Sequence, residues 1–239
     1  MKSLFLLFIG CFIFLTVFSQ EKTIIYCFPG QGSNQHIFDS LTVDSNYVLK
    51  FIEYGTPEKG MNMETFAKTL TNQIDTTRNF ILLGVSLGGM ICVELSELLN
   101  PEKTILISSA KNRSELPFRY KFQKAFPLYK IFGGRTLLAG AKFLQPIVEP
   151  DRNKNKETFK QMISSKDPTY MKRTVSLIIN WNRTSNSKKI KHIHGDKDHT
   201  IPLRNVSNPN FVLENGSHMI ALTRAEEISK ILNIILKEK

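Results

Sequence analysis

Residues 80–90 read FILLGVSLGGM. An apolar run ends at Gly84, a lone serine follows Val85, and the chain turns apolar again in MICVELSELL. The first run reads as a buried strand and the second as a helix, with Ser86 between Gly84 and Gly88 in a G-x-S-x-G pattern. In so tight a strand-to-helix turn, small residues let the backbone bend sharply and hold a serine hydroxyl out at the tip, where a nucleophile needs to be. The five letters alone also fit a glycine-rich turn carrying an ordinary serine, so the rest of the chain has to decide.

Working outward, strand-like and helix-like stretches alternate. KTIIYCF is a β-rich run ending in the turn PGQGSN, and YVLKFIEYG reads as a second strand. METFAKTLTNQI carries apolar residues at Met63, Phe66, Leu70 and Ile74, a helical spacing. NFILLG is the third strand, and the helix after it runs to Leu99, where Asn100-Pro101 stops it. KTILISSA, KKIKHIHG and FVLEN follow as strands, and the tail closes with a helix whose Ile228, Ile231, Leu232 and Ile235 share one face. This alternation predicts an α/β fold, a mostly parallel sheet with helices on both faces, in which chemistry gathers at the carboxyl ends of the strands. The rhythm lapses over 111–185, where aromatic and basic residues mix in LPFRYKFQKAFPLYKIFGG. So long a segment is no plain loop. It reads as a helical insertion, expected to act as a cap over the active edge; an irregular elaboration packed on the sheet is the alternative.

The 239 residues, 41% hydrophobic and 22% charged, suit one globular domain with a substantial core. The segment 1–19 stands apart: a lysine near the start, then no charge from Leu4 to Phe18. That is the pattern of a signal peptide, slightly short for a membrane span, with Val17 and Ser19 as the small residues before cleavage. The expected mature chain is 20–239, exported to the periplasm or the medium; an uncleaved segment would instead anchor it. Lipid attachment at Cys11 fits less well, because that cysteine sits inside the apolar run. Beyond the leader only Cys27 and Cys92 remain, both in apolar runs, where free core cysteines are commoner than a disulfide. The formal charge of +11, or +10 once Lys2 leaves with the leader, suits weak association with anionic surfaces. The lysines are scattered and no zinc or basic-aromatic array is present, so nucleic acid is not the expected partner. Nothing in the sequence points to an oligomeric state.

A serine hydroxyl becomes a useful nucleophile only with a base in reach, a carboxylate to orient that base and donors for the oxyanion. His218, in ENGSHMIAL between the last strand and the last helix, is the expected base. His36, His192, His194 and His199 lack that strand-loop-helix setting. For the carboxylate, HIHGDKDHTIP offers Asp196 and Asp198; Asp198 is preferred as the member turning back to the sheet edge, with Asp196 capping the turn. Glu214 and Asp151 have no strand-end context. Backbone amides suit the oxyanion because they are rigid and already polarised. Leu87 at the start of its helix and Gln31 in FPGQGSN are the candidates. That first loop lacks the spacing of a phosphate-binding motif.

With FPGQG, GVSLGG, HGDKDHTIP and GSHMIAL in this order, the chain resembles the α/β-hydrolase superfamily from Thr23 to about Leu236. The resemblance implies a compact version of that fold, without the strands that often begin the family's sheet. It also implies a serine hydrolase acting on a carboxylic ester or related acyl bond of a small-molecule substrate, with Ser86, His218 and Asp198 as its triad. No metal or organic cofactor is implied. Thioesterases, peptidases and acyltransferases share these motifs, and a non-catalytic binding member is the alternative from another class. Two departures stand out: Pro29-Gly30 where many members carry His-Gly, and Ser217 where glycine often precedes the histidine. The cap aromatics Phe118, Tyr120, Phe122, Phe126 and Tyr129 suggest an apolar or aromatic acyl group, or else packing of the cap onto the sheet.

Overall fold

A computed structural model describes residues 21–149 and 152–238; the leader segment and Asp151 lie outside them. In chain order the elements are β1 (Thr23–Phe28), β2 (Tyr47–Phe51), α1 (Met63–Thr69), β3 (Phe80–Val85), α2 (Leu87–Leu98) and β4 (Lys103–Ile107). There follow α3 (Phe118–Ala125), α4 (Leu128–Ile131), α5 (Gly134–Val148), α6 (Lys156–Ser164) and α7 (Pro168–Asn180). β5 (Ile190–Gly195), β6 (Phe211–Leu213), α8 (Ile220–Thr223) and α9 (Ala225–Lys237) complete the chain.

The six strands form one parallel sheet in the order β2-β1-β3-β4-β5-β6. Successive residues of a strand point to opposite faces, so a continuous apolar run feeds two cores at once. Tyr26, Phe28, Phe80 and Leu82 enter one, with α1, α2 and the end of α7; Ile25, Cys27, Ile81, Leu83 and Val85 enter the other, with α9. Cys27 and Cys92 are free and buried, and burial pushes both thiols up in pKa. α2 is buried almost all round, as its near-continuous apolar sequence requires. The chain leaves β1 toward β2 on one side and later returns with β3 on the other. The loops after β1 and β3 therefore flank the point where strand order reverses, the usual place for a site in an open parallel sheet.

Several sequence-based boundaries move, three of them with structural consequence. The second strand ends at Phe51 rather than running to Gly55. The helix from Met63 stops at Thr69, where Leu70 caps it and a single 3-10 turn takes over at Thr71–Gln73. The closing helix breaks at Arg224 into α8 and α9.

The segment 111–185 contributes five helices between β4 and β5. α7 starts where Pro168 occupies the first helical position and the Asp167 carboxylate accepts from the Thr169 and Tyr170 amides at 2.7 and 2.9 Å. Its end is tied to α2 through Glu94, a buried carboxylate. Glu94 accepts from Trp181 Nε1 at 2.6 Å and from Arg183 Nε and Nη2 at 2.8 and 2.7 Å, so its charge is both paired and hydrogen-bonded.

Candidate active site

Ser86 follows β3 and precedes α2 with φ 53° and ψ −120°, a backbone conformation that side-chain-bearing residues rarely adopt. The glycines around it explain how the turn is tolerated. A Cβ on Gly84 would lie 2.5 Å from the Gly88 carbonyl, and one on Gly88 only 2.0 Å from the Phe28 oxygen at the end of β1. α2 thus packs directly on β1 and β3, which only glycine permits. Serine at a helix start ordinarily caps the first turn. Here its side chain makes no cap bond, and Oγ lies 2.9 Å from His218 Nε2.

His218 sits in the loop between β6 and α8, and its Nδ1 is 2.7 Å from Asp198 Oδ2. Asp198 lies just beyond β5. Its other oxygen, Oδ1, accepts from the Thr200 and Ile201 amides at 2.8 and 2.7 Å. The turn-capping role expected of Asp196 therefore belongs to Asp198, because these two amides face the later carboxylate. Burial opposes a charge on His218, but the adjacent Asp198 carboxylate, through charge and hydrogen bond, outweighs it; with Glu149 adding, the imidazole's pKa is held above its ordinary value. Ser86, His218 and Asp198 form one hydrogen-bonded chain at the carboxyl ends of three strands.

Gln31 and the loop after β1 run beside Ser86: a Cβ on Gly30 would stand 3.1 Å from the Ser86 Cβ. The Gln31 side chain points to the insertion and donates to Thr174 Oγ1 at 2.8 Å. Tyr54 donates its hydroxyl proton to the Pro29 carbonyl and holds the loop from behind. Leu87 opens α2, where the first amides of a helix have no partner within it. The candidate oxyanion residues thus lie on either side of the serine, Gln31 in the loop after β1 and Leu87 at the start of α2.

Two participants escape a reading of the sequence. His194, on β5, has Nε2 2.8 Å from the Ile201 carbonyl and 3.3 Å from Asp198 Oδ2, so that nitrogen carries the proton and donates. Burial lowers its pKa, and it backs Asp198 as a neutral ring. The other is Glu149, at the end of α5, which is 4% exposed and accepts from the Met219 amide at 3.2 Å. Burial lifts its carboxyl pKa to about 7, against the opposing pull of His218 and with the Asp198 charge adding to the rise. Neither residue belongs to a local pattern, since both reach the site through tertiary packing.

Glu149 carries a prediction. In the unfolded chain its carboxyl titrates near 4.5 and in the folded protein near 7, so between those values the native state holds the extra proton. Stability attributable to this group is full below 4.5, is lost as pH rises through that window, and falls no further above it. Glu149→Gln is therefore expected to be more stable than the parent at about pH 8 by up to roughly 3 kcal/mol, and close to it at about pH 4. Urea midpoints at the two pH values measure the difference; an equal effect at both would contradict this account of the carboxyl.

A cavity of about 420 Å³ opens over Ser86 and His218. Its walls are largely apolar, with Met90 from α2, Phe159 and Met162 from α6, Met171 and Ile178 from α7, and Met219 beside the histidine. The insertion therefore forms much of the cavity wall. Of the five cap aromatics only Tyr120 lines this cavity; Tyr129 is buried elsewhere, and Phe118, Phe122 and Phe126 are exposed.

No family model matches the sequence, and no curated relative matches it. Solved structures do match in shape. An enol-lactonase from Burkholderia xenovorans LB400 superposes with TM-score 0.68 at 14% identity, covering 91% of this chain and 92% of its own. A thermophilic esterase from Thermogutta terrifontis superposes with TM-score 0.67 at 15% identity, with 91% and 90% covered. MenH from S. aureus gives 0.63 at 15% identity, with 91% and 94% covered. The chain has the α/β-hydrolase fold.

Proposed function

We propose that the protein is a serine hydrolase acting on carboxylic esters or related acyl bonds. The observation that carries this reading is the continuous hydrogen-bonded chain from Ser86 Oγ through His218 to Asp198. In the proposed reaction His218 Nε2 takes the Ser86 proton as Oγ attacks the carbonyl carbon. Asp198 holds Nδ1–H, fixing the tautomer, and stabilises the imidazolium that forms. The amides of Gln31 and Leu87 donate to the oxyanion. Collapse breaks the bond to the leaving group, which takes the proton from His218. Water then attacks the acyl-enzyme with the same base, releasing the acid and restoring Ser86.

The apolar cavity supports an apolar or aromatic acyl group of moderate size. The enol-lactonase and esterase among the structural neighbours support acyl-bond chemistry in the same fold. The charge-free run from Leu4 to Phe18 supports action outside the cytoplasm. The test is a series of p-nitrophenyl esters of increasing acyl length, with matched thioesters, assayed on the parent and on Ser86→Ala. Hydrolysis by the parent with a preference for apolar acyl groups, absent from the variant, is expected. A folded parent that turns over none of them would overturn the proposal in favour of a binding role, and a variant as active as the parent would overturn Ser86 as the nucleophile.

A further inference from the structure

The insertion carries an apolar surface that the proposed hydrolysis does not use. On α3 and at its C-cap, Phe118, Phe122 and Phe126 recur at a four-residue spacing and pack in series, the first pair tilted and the second stacked, with ring centroids 5.9 and 5.0 Å apart. Such a stripe normally faces a core. Here Phe118 is 75% exposed, and Phe122 and Phe126 are exposed with it. The neighbouring helices add Leu128, Ile131 and Phe132 around α4, and Phe143 and Leu144 on α5, with Ile131 and Phe143 each 78% exposed. Single exposed apolar residues need no explanation, but eight of them within one insertion do.

The charge of the same segment is one-sided. From Leu116 to Val148 there are six cations, Arg119, Lys121, Lys124, Lys130, Arg135 and Lys142, and no Asp or Glu. Among the described residues none of the six is in an ion pair. Exposed aromatics interleaved with cations that lack an acidic partner are what an anionic bilayer surface attracts: the rings enter the boundary between headgroups and acyl chains while the cations meet lipid phosphates. No helix among the described residues is long and apolar enough to cross a membrane. The patch also adjoins the mouth of the cavity. Arg119 and Leu144 line the cavity, and Phe118 and Phe143 immediately precede them in the chain.

We propose that the α3–α5 part of the insertion docks the protein on anionic lipid bilayers, its exposed phenylalanines inserted and its cations on the phosphates. The cavity mouth then lies at the membrane surface, where an apolar substrate partitions. Docking does not require hydrolysis, so its test does not depend on activity.

Both core clusters lie wholly between Ile24 and Leu236, so the chain beginning at Gln20 keeps the complete core and removes the apolar leader as a source of lipid binding. This chain is sedimented with vesicles of phosphatidylcholine, alone or with about one-third phosphatidylglycerol, as NaCl is raised from about 0.05 to about 0.5 M. The variants are the triple change Phe118→Ser, Phe122→Ser, Phe126→Ser and the double change Lys121→Glu, Lys124→Glu, each checked by thermal unfolding. Binding to the anionic vesicles that weakens with salt, and by about tenfold or more in each variant, is the expected result. No binding to anionic vesicles would overturn the proposal, as would equal binding to neutral ones or binding that the serine variant leaves intact. A dimer in solution that the serine variant disperses, without vesicle binding, would also overturn it and assign the face to a second copy of the chain.

Discussion

Ser86→Ala is expected to fold as the parent does and to lose about 10⁴-fold or more in kcat/KM on any ester the parent hydrolyses. The loss follows from what the hydroxyl touches. Its oxygen is the atom 2.9 Å from His218 Nε2, and among the described residues no other hydroxyl is bonded to that nitrogen. Such a factor corresponds to about 5 kcal/mol of transition-state stabilisation, at about 1.4 kcal/mol for each tenfold. Ser86→Gly distinguishes chemistry from folding. At φ 53° glycine is relaxed where serine is strained, so this variant is expected to be equally inactive and about 1 kcal/mol more stable. Ester turnover and urea midpoints on the same preparations measure both effects. An inactive glycine variant that is also less stable would mean that Ser86 is held by packing and not against strain.

Gly88→Ala is expected to have the largest effect on the fold. The added methyl would sit 2.0 Å from the Phe28 oxygen and 2.6 Å from the Pro29 oxygen, both backbone atoms that cannot rotate away. Either α2 lifts from the sheet or β1 moves, at a cost of about 3 kcal/mol or more. The same shift pushes the loop after β1 away from Ser86, so activity should fall by more than the loss of folded protein explains. Gly140→Ala is the control, because nothing lies within 4 Å of where its Cβ would be. A Gly88→Ala protein with the parent's urea midpoint would contradict the close approach of α2 to β1.

What the sequence discloses depends on how local the cause is. Apolar runs with alternating faces and the glycines around Ser86 act within a few residues, and each is legible in the chain. Ser86, Asp198 and His218 are legible because each follows a strand, and parallel strands deliver their carboxyl ends to one edge. Glu149 is not legible. Its partner is the Met219 amide, 70 residues away, and the insertion's own packing brings them together. His194 reads as one of two histidines alternating on a strand, and only the return of Asp198 toward the sheet gives it a role. Phe118, Phe122 and Phe126 mislead for a different reason: as cap aromatics they suggest a pocket lining or packing on the sheet, but α3 packs with Tyr120 inward and leaves them outside.

Labelling with a fluorophosphonate asks directly whether Ser86 is an activated nucleophile. The phosphorus takes the place of the acyl carbon, and a stable adduct forms only on a serine whose proton a neighbouring base removes. Intact mass and peptide mapping of the folded protein are expected to show one adduct, on Ser86, absent from Ser86→Ala and from heat-denatured protein. A folded protein that takes up no label, or takes it up equally after denaturation, would contradict the account.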